Sequence, residues 1–113
     1  MTDRPLTALQ TEILLALLRE ARKPELDDRG RYDFSHGRLT PNDIAWQLAR
    51  TEAGIAQWAP YKIRYVNGRT VRGLLVSLNR RGLLDYDYRM DTSTWYLTPE
   101  GQRVAEALEG ERT

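Results

Sequence analysis

The run Arg69-Thr70-Val71-Arg72-Gly73-Leu74-Leu75-Val76-Ser77-Leu78-Asn79-Arg80-Arg81-Gly82-Leu83-Leu84 decides how the rest of this sequence is read. Val71, Leu74, Leu75 and Leu78 recur at the spacing that puts side chains on one face of a helix, here over residues 69–81. Gly82 follows where a glycine in the left-handed conformation ends a helix. The outward face is expected to carry Arg69, Thr70, Arg72, Gly73, Val76, Ser77 and Arg80. This helix lies in a longer window, residues 54–84, that has no Asp or Glu but holds Lys62, Arg64, Arg69, Arg72, Arg80 and Arg81. All 16 acidic side chains and 11 of the 17 basic ones lie outside it, so a formal net charge of +1 divides into +6 here and −5 elsewhere. A chain divided in this way turns one surface toward a polyanion and keeps the others neutral or repelling.

Downstream, residues 83–89 and 94–98 are β-prone runs containing Tyr86, Tyr88, Trp95 and Tyr96, with a short polar stretch, 90–93, between them. Together they predict a hairpin, its aromatics forming cross-strand pairs. Thr98, Pro99 and Glu100 then supply an N-cap, a first-turn proline and a first-turn acid for a last helix through Val104, Ala105 and Leu108. Upstream, Asn67-Gly68 is a turn signal, and Pro60 ends any helix before it. Thr40, Pro41 and Asp43 open a helix whose face continues through Ile44, Leu48, Thr51 and Ile55, past Arg50 toward Gln57. Trp46 is expected half-buried beside that stripe. Further back, Leu9, Ile13, Leu17 and Ala21 make an amphipathic helix over residues 7–22, with Thr7 and Gln10 as a capping box and Pro24 beyond its end. Residues 25–38 read as a long polar loop, with Tyr32 and Phe34 marking a short strand within it.

The totals bound the functional classes. A chain of 113 residues holds one domain with a core, and 41% hydrophobic with 29% charged residues fits a folded rather than a disordered chain. With no cysteine, disulfides, thiolate metal sites and cysteine nucleophiles are excluded. The longest apolar run, residues 13–18, is too short to span a membrane, and no signal peptide is visible, so a cytoplasmic, nucleoid-associated protein is expected. His36 is the only histidine. It stands in the polar loop near Asp33 without a second ligand or a nucleophile, and reads as solvated or locally bonded. Asp27, Asp28 and Asp33 lack the spacing of a calcium loop. No glycine-rich phosphate loop follows a strand. The sequence reads as that of a non-enzyme without metal or cofactor.

The order helix, helix, helix, hairpin, helix resembles a winged helix-turn-helix domain, an α+β, mostly helical fold. The stretch 70–84 is similar to the recognition helix and following turn of MarR/PadR-like transcriptional regulators. Tyr96-Leu97-Thr98-Pro99-Glu100-Gly101 resembles the passage from wing to next helix in that superfamily, and Leu39-Thr40-Pro41-Asn42-Asp43-Ile44-Ala45 resembles the start of its second helix. The resemblance implies a single winged-helix domain over residues 1–113 with its core at about 7–109, a long loop at about 23–39 and an insert at about 51–68. In the family a few residues join the second and third helices; here the connection is much longer. It also implies double-stranded DNA as partner and homodimerisation, for which the leucine-rich first helix and the last helix offer surfaces. A wide monomer core explains the extra Leu14, Leu15 and Leu18 as well.

On that reading the third helix enters the major groove, and the N-terminal part of such a helix reaches base edges. Arg69 and Arg72 suit guanine, Thr70 and Ser77 suit bases or phosphates, and Gly73 permits close approach. Lys62, Arg64, Arg80 and Arg81 suit phosphates, and Arg89 at the hairpin tip suits a phosphate or the minor groove. Each has a plainer reading. The arginine face also suits a solvated helix, though the acid-free window and the hairpin weigh against that. Arg81 suits the helix C-terminus, Arg89 a solvated hairpin, and Trp58 and Tyr61 the packing of the insert rather than base stacking. Asp85, Asp87 and Asp91 weigh against a strongly cationic wing. Two other functions share the pattern: a winged helix used as a protein-interaction adaptor, and an accessory DNA-binding protein of replication or of a mobile element.

Overall fold

The computed structural model describes residues 5–26, 28–31, 36–89 and 91–112, with backbone alone at Pro60, Tyr61 and Arg89. Its described elements run α1 (Ala8–Ala21), α2 (Pro41–Leu48), α3 (Glu52–Lys62), a 3-10 turn (Ile63–Tyr65), α4 (Gly68–Arg80), β1 (Leu84–Arg89), β2 (Thr92–Leu97) and α5 (Pro99–Arg112). This is an α+β arrangement, mostly helical, with one two-stranded antiparallel sheet. The strand expected around Tyr32 and Phe34 falls outside the described residues, as does the side chain of Arg89.

Local chemistry sets most of the helix ends. Thr7 and Gln10 form a reciprocal capping box at the start of α1, Thr40 Oγ accepts from Asp43 N–H at 3.2 Å, and Thr98 Oγ accepts from Gly101 N–H at 3.0 Å. Gly82, at φ +75°, ends α4 in the left-handed region. Asn67 corrects an expectation. It is the N-cap of α4, its Oδ1 accepting from the N–H groups of Arg69 and Thr70, rather than part of a separate turn.

The larger correction concerns residues 49–58. The second helix does not run to Gln57; it stops at Leu48, and Thr51 caps a new helix by accepting from Gly54 N–H at 3.0 Å. Two tight approaches fix this corner. Thr51 Oγ donates to the Leu48 carbonyl at 2.7 Å, and a Cβ built on Gly54 would lie 2.0 Å from that same oxygen. The long connection is therefore a helix of its own, packed against the end of α2. It breaks at Ala59 (φ +54°, ψ 158°), the residue before Pro60, where the proline ring disfavours helical geometry. The 3-10 turn then leads to α4.

The strands pair from Leu84↔Leu97 to Arg89↔Thr92, which leaves two residues between them instead of four. Asp91 sits at φ +62°, as two-residue hairpin loops require. Tyr86 and Trp95 form the expected cross-strand pair, ring centroids 4.7 Å apart. On the other edge of β2, Leu39 and Trp95 exchange two backbone hydrogen bonds (2.8 and 3.0 Å), tying the loop before α2 to the sheet.

The core lies where α1 crosses α2, α4, α5 and the base of the hairpin. Ile13, Leu14, Leu17, Leu18, Ile44, Val71, Leu75, Leu78 and Leu84 are fully buried, each worth about 1.5–3 kcal/mol relative to exposure. Leu14, Leu15 and Leu18 are thus consumed inside the chain and leave no leucine stripe of α1 for a partner helix. Trp58 packs against the edge of the core. Ion pairs Arg22–Glu109 and Arg112–Glu12 bind α5 to α1, and the Arg22 hydrogen bond to Glu109 raises the pKa of that guanidinium. Among the described residues no helix is long and apolar enough to cross a membrane.

Candidate functional site

Two helix starts and the distal half of β2 enclose one open cleft of about 700 Å³. Its walls are Thr40, Pro41 and Asn42 from the start of α2, Asn67, Gly68, Arg69, Arg72 and Leu75 from α4, and Thr92, Ser93 and Trp95 from β2. The helix starts are joined directly, because Asn42 Oδ1 accepts from Gly68 N–H at 2.7 Å. The N-terminal ends of α2 and α4 therefore lie together at this space and lend it positive dipole charge, while the first-turn N–H groups of α4 are already bonded to Asn42 and Asn67. Asp43, in the first turn of α2, offsets part of that charge.

Arg69 and Arg72 stand exposed on the wall of this cleft. Among the described residues neither makes an ion pair, and the same holds for Arg64, Arg80 and Arg81. Several cations outside the acid-free window are matched instead: Arg22 with Glu109, Lys23 with Glu20, Arg38 with Asp87, Arg103 with Glu100 and Arg112 with Glu12. The Arg38 pair also neutralises one of the acids of β1, while its guanidinium lies 4.3 Å from the Tyr96 ring centroid. Gly73 is exposed, and a Cβ there would meet nothing within 4 Å, so its small size serves no contact inside the chain.

Two residues expected on the base-reading face are occupied elsewhere. Thr70 Oγ accepts from Asn67 N–H at 3.1 Å as the return half of the α4 capping box, and Thr70 borders a different, more apolar groove beside Leu9, Trp58 and Leu74. Ser77 is turned toward α1, where its Oγ accepts from Gln10 Nε2 at 3.0 Å. Gln10 is buried, and this bond together with the capping box satisfies its amide. Arg80 and Arg81 sit at the other end of α4, about 17 Å along the axis from Arg69 at 1.5 Å per residue; Arg81 is the C-cap residue of α4. Lys62, at the end of α3, and Arg64, in the 3-10 turn, are exposed.

Of the cleft's lining, sequence reading assigned only Arg69 and Arg72 to the site and missed Asn42, Asn67, Gly68, Thr92, Ser93 and Trp95. Tyr88 joins them by register. It lies opposite Ser93, on the hairpin face that includes Trp95, and is 69% exposed. Alternation along β1 and β2 carried that signal, but only with the two-residue loop known. Trp46 also departs from expectation. It is 59% exposed rather than half-buried, because Ile44, Ala45 and Leu48 fill the inward face of so short a helix.

His36 donates from Nε2 to the Lys23 carbonyl at 2.7 Å, a local bond in the loop. Among the described residues no three His, Cys, Asp or Glu side chains cluster as a metal site. The chain matches no protein-family model and no curated protein, so any functional reading rests on this geometry.

Proposed function

We propose that this chain is a winged-helix protein that binds double-stranded DNA, with α4 in the major groove and the β1–β2 hairpin as the wing, and that it acts as a transcriptional regulator. The observation that carries the reading is the cleft itself: two helix N-termini and two arginines, Arg69 and Arg72, that make no ion pair among the described residues, facing one space beside a hairpin. Arg69 and Arg72 reach bases, the side-chain amide N–H groups of Asn42 and Asn67 serve the flanking phosphates, and Tyr88 and Ser93 follow the backbone along the wing. Thr70 and Ser77 stabilise α4 rather than contact bases.

A mobility-shift titration with duplex DNA tests this. Binding at low ionic strength that weakens as salt rises supports it; absence of such binding removes it in favour of a protein-interaction adaptor. Arg72→Ala is expected to weaken a selected site more than random DNA, by about 1–3 kcal/mol. Equal weakening of both would assign Arg72 to a phosphate. Fragments selected from genomic DNA separate a regulator, which retains promoter sites, from an accessory protein of replication or a mobile element, which retains an origin or an element end.

A further inference from the structure

Beside the cleft lies a second depression of about 370 Å³, whose polar rim is Trp46, Arg50 and Arg64 and whose floor is Ala49, Ile63 and Val66. Asn42 and Asn67 border both spaces, so one surface runs from Arg69 and Arg72 across the two asparagines to Arg50 and Arg64. Among the described residues no acidic side chain lines either depression.

The cations here are arranged in different ways. The Arg50 guanidinium lies flat on the indole of Trp46, its carbon 3.4 Å from the ring centroid, and Nη1 donates to the Trp46 carbonyl at 2.7 Å. It is thereby fixed before any ligand arrives, with its remaining N–H groups free of carboxylates, and a prefixed side chain loses less entropy on binding. Trp46 gains little from the core at 59% exposure; its work is to hold Arg50. Arg64 is delivered from the opposite side by the 3-10 turn, exposed and without an ion pair among the described residues. The inserted segment is what brings this second cation to α2.

We propose that this depression is a second phosphate site, in which Arg50 and Arg64 hold the backbone of the same duplex beyond the stretch contacted by α4. The inference rests on the DNA-binding reading above and assigns the insert a role within it: a longer footprint and added affinity without added sequence preference.

The test measures affinity for a random-sequence duplex and for a selected site across a salt series, in the full chain and in Arg50→Ala, Arg64→Ala, Arg64→Lys, Trp46→Ala and Arg72→Ala. Arg50→Ala and Arg64→Ala are each expected to reduce the slope of log affinity against log salt by about 0.9, and to weaken both duplexes by the same factor. Arg64→Lys keeps the slope. Trp46→Ala weakens binding in the parent chain and has no further effect once Arg50 is alanine. An unchanged slope in either alanine variant, with Arg72→Ala still weakening the selected site more than the random duplex, overturns the second site and leaves the duplex reading intact. Failure of the parent chain to bind duplex in a salt-sensitive way overturns both.

Discussion

Single residues in this chain separate what stabilises the fold from what faces a partner. Gly73 costs helix stability relative to alanine and makes no compensating contact. Gly73→Ala is therefore expected to raise stability by about 0.8–1.0 kcal/mol in denaturant unfolding while weakening duplex binding, since only an external surface would need the missing methyl. Unaltered affinity in a stabilised variant would take that face of α4 out of the interface. Ala59 gives a contrasting case. Its φ of +54° is a region that L residues rarely adopt, so Ala59→Gly should relieve roughly 1–3 kcal/mol of strain, less what glycine loses through the greater freedom of the unfolded chain. Ser77 shows why residue roles are harder to read than residue positions. Its place between core and surface on the helical wheel is legible, but the inward turn depends on Gln10, 67 positions away in sequence.

At the level of elements, the parts governed by nearest neighbours were legible and the parts governed by distant contacts were not. Thr7 with Gln10, Thr40 with Pro41, Thr98 with Pro99, and Gly82 all act within one turn of chain, and each behaves as its local chemistry dictates. The break at Ala49–Thr51 escaped notice because Ile44, Leu48, Thr51 and Ile55 keep four-residue spacing straight across it. The signal that overrides the pattern is Thr51 three residues before Gly54, a cap followed by a residue small enough to touch the Leu48 carbonyl. Gly54→Ala should therefore push α3 off the end of α2 and cost about 1–3 kcal/mol, measured by thermal or denaturant unfolding. If the variant is as stable as its parent, the α2–α3 corner is looser than this packing implies. The cleft was legible in half: α4 announced its arginines, whereas the contribution of α2 and β2 required the tertiary arrangement.

Across the whole molecule, the charge division in the sequence becomes a division of surfaces. Acids pair with cations along α1, α5 and β1, while among the described residues Arg64, Arg69 and Arg72 remain without an ion pair around the starts of α2 and α4. Of the four guanidinium groups on that side, Arg50 and Arg64 are the ones assigned to phosphates, so the two together are expected to contribute about 1.8 to the salt slope at about 0.9 per contact. Arg80→Ala and Arg81→Ala should leave the slope unchanged, and a drop in either would extend the contact to the far end of α4. The hydrogen bond from Gly68 N–H to Asn42 Oδ1 has a consequence for redesign. It makes the first turn of α4 a joint product of two segments separated by 26 positions in the chain. A chimera that receives residues 68–80 from this protein without an asparagine at the position of Asn42 would inherit the arginines but not the angle at which they are presented. If the proposed duplex binding holds, the transferable unit is a pair of helix starts, and a specificity transplant should treat them as one cassette.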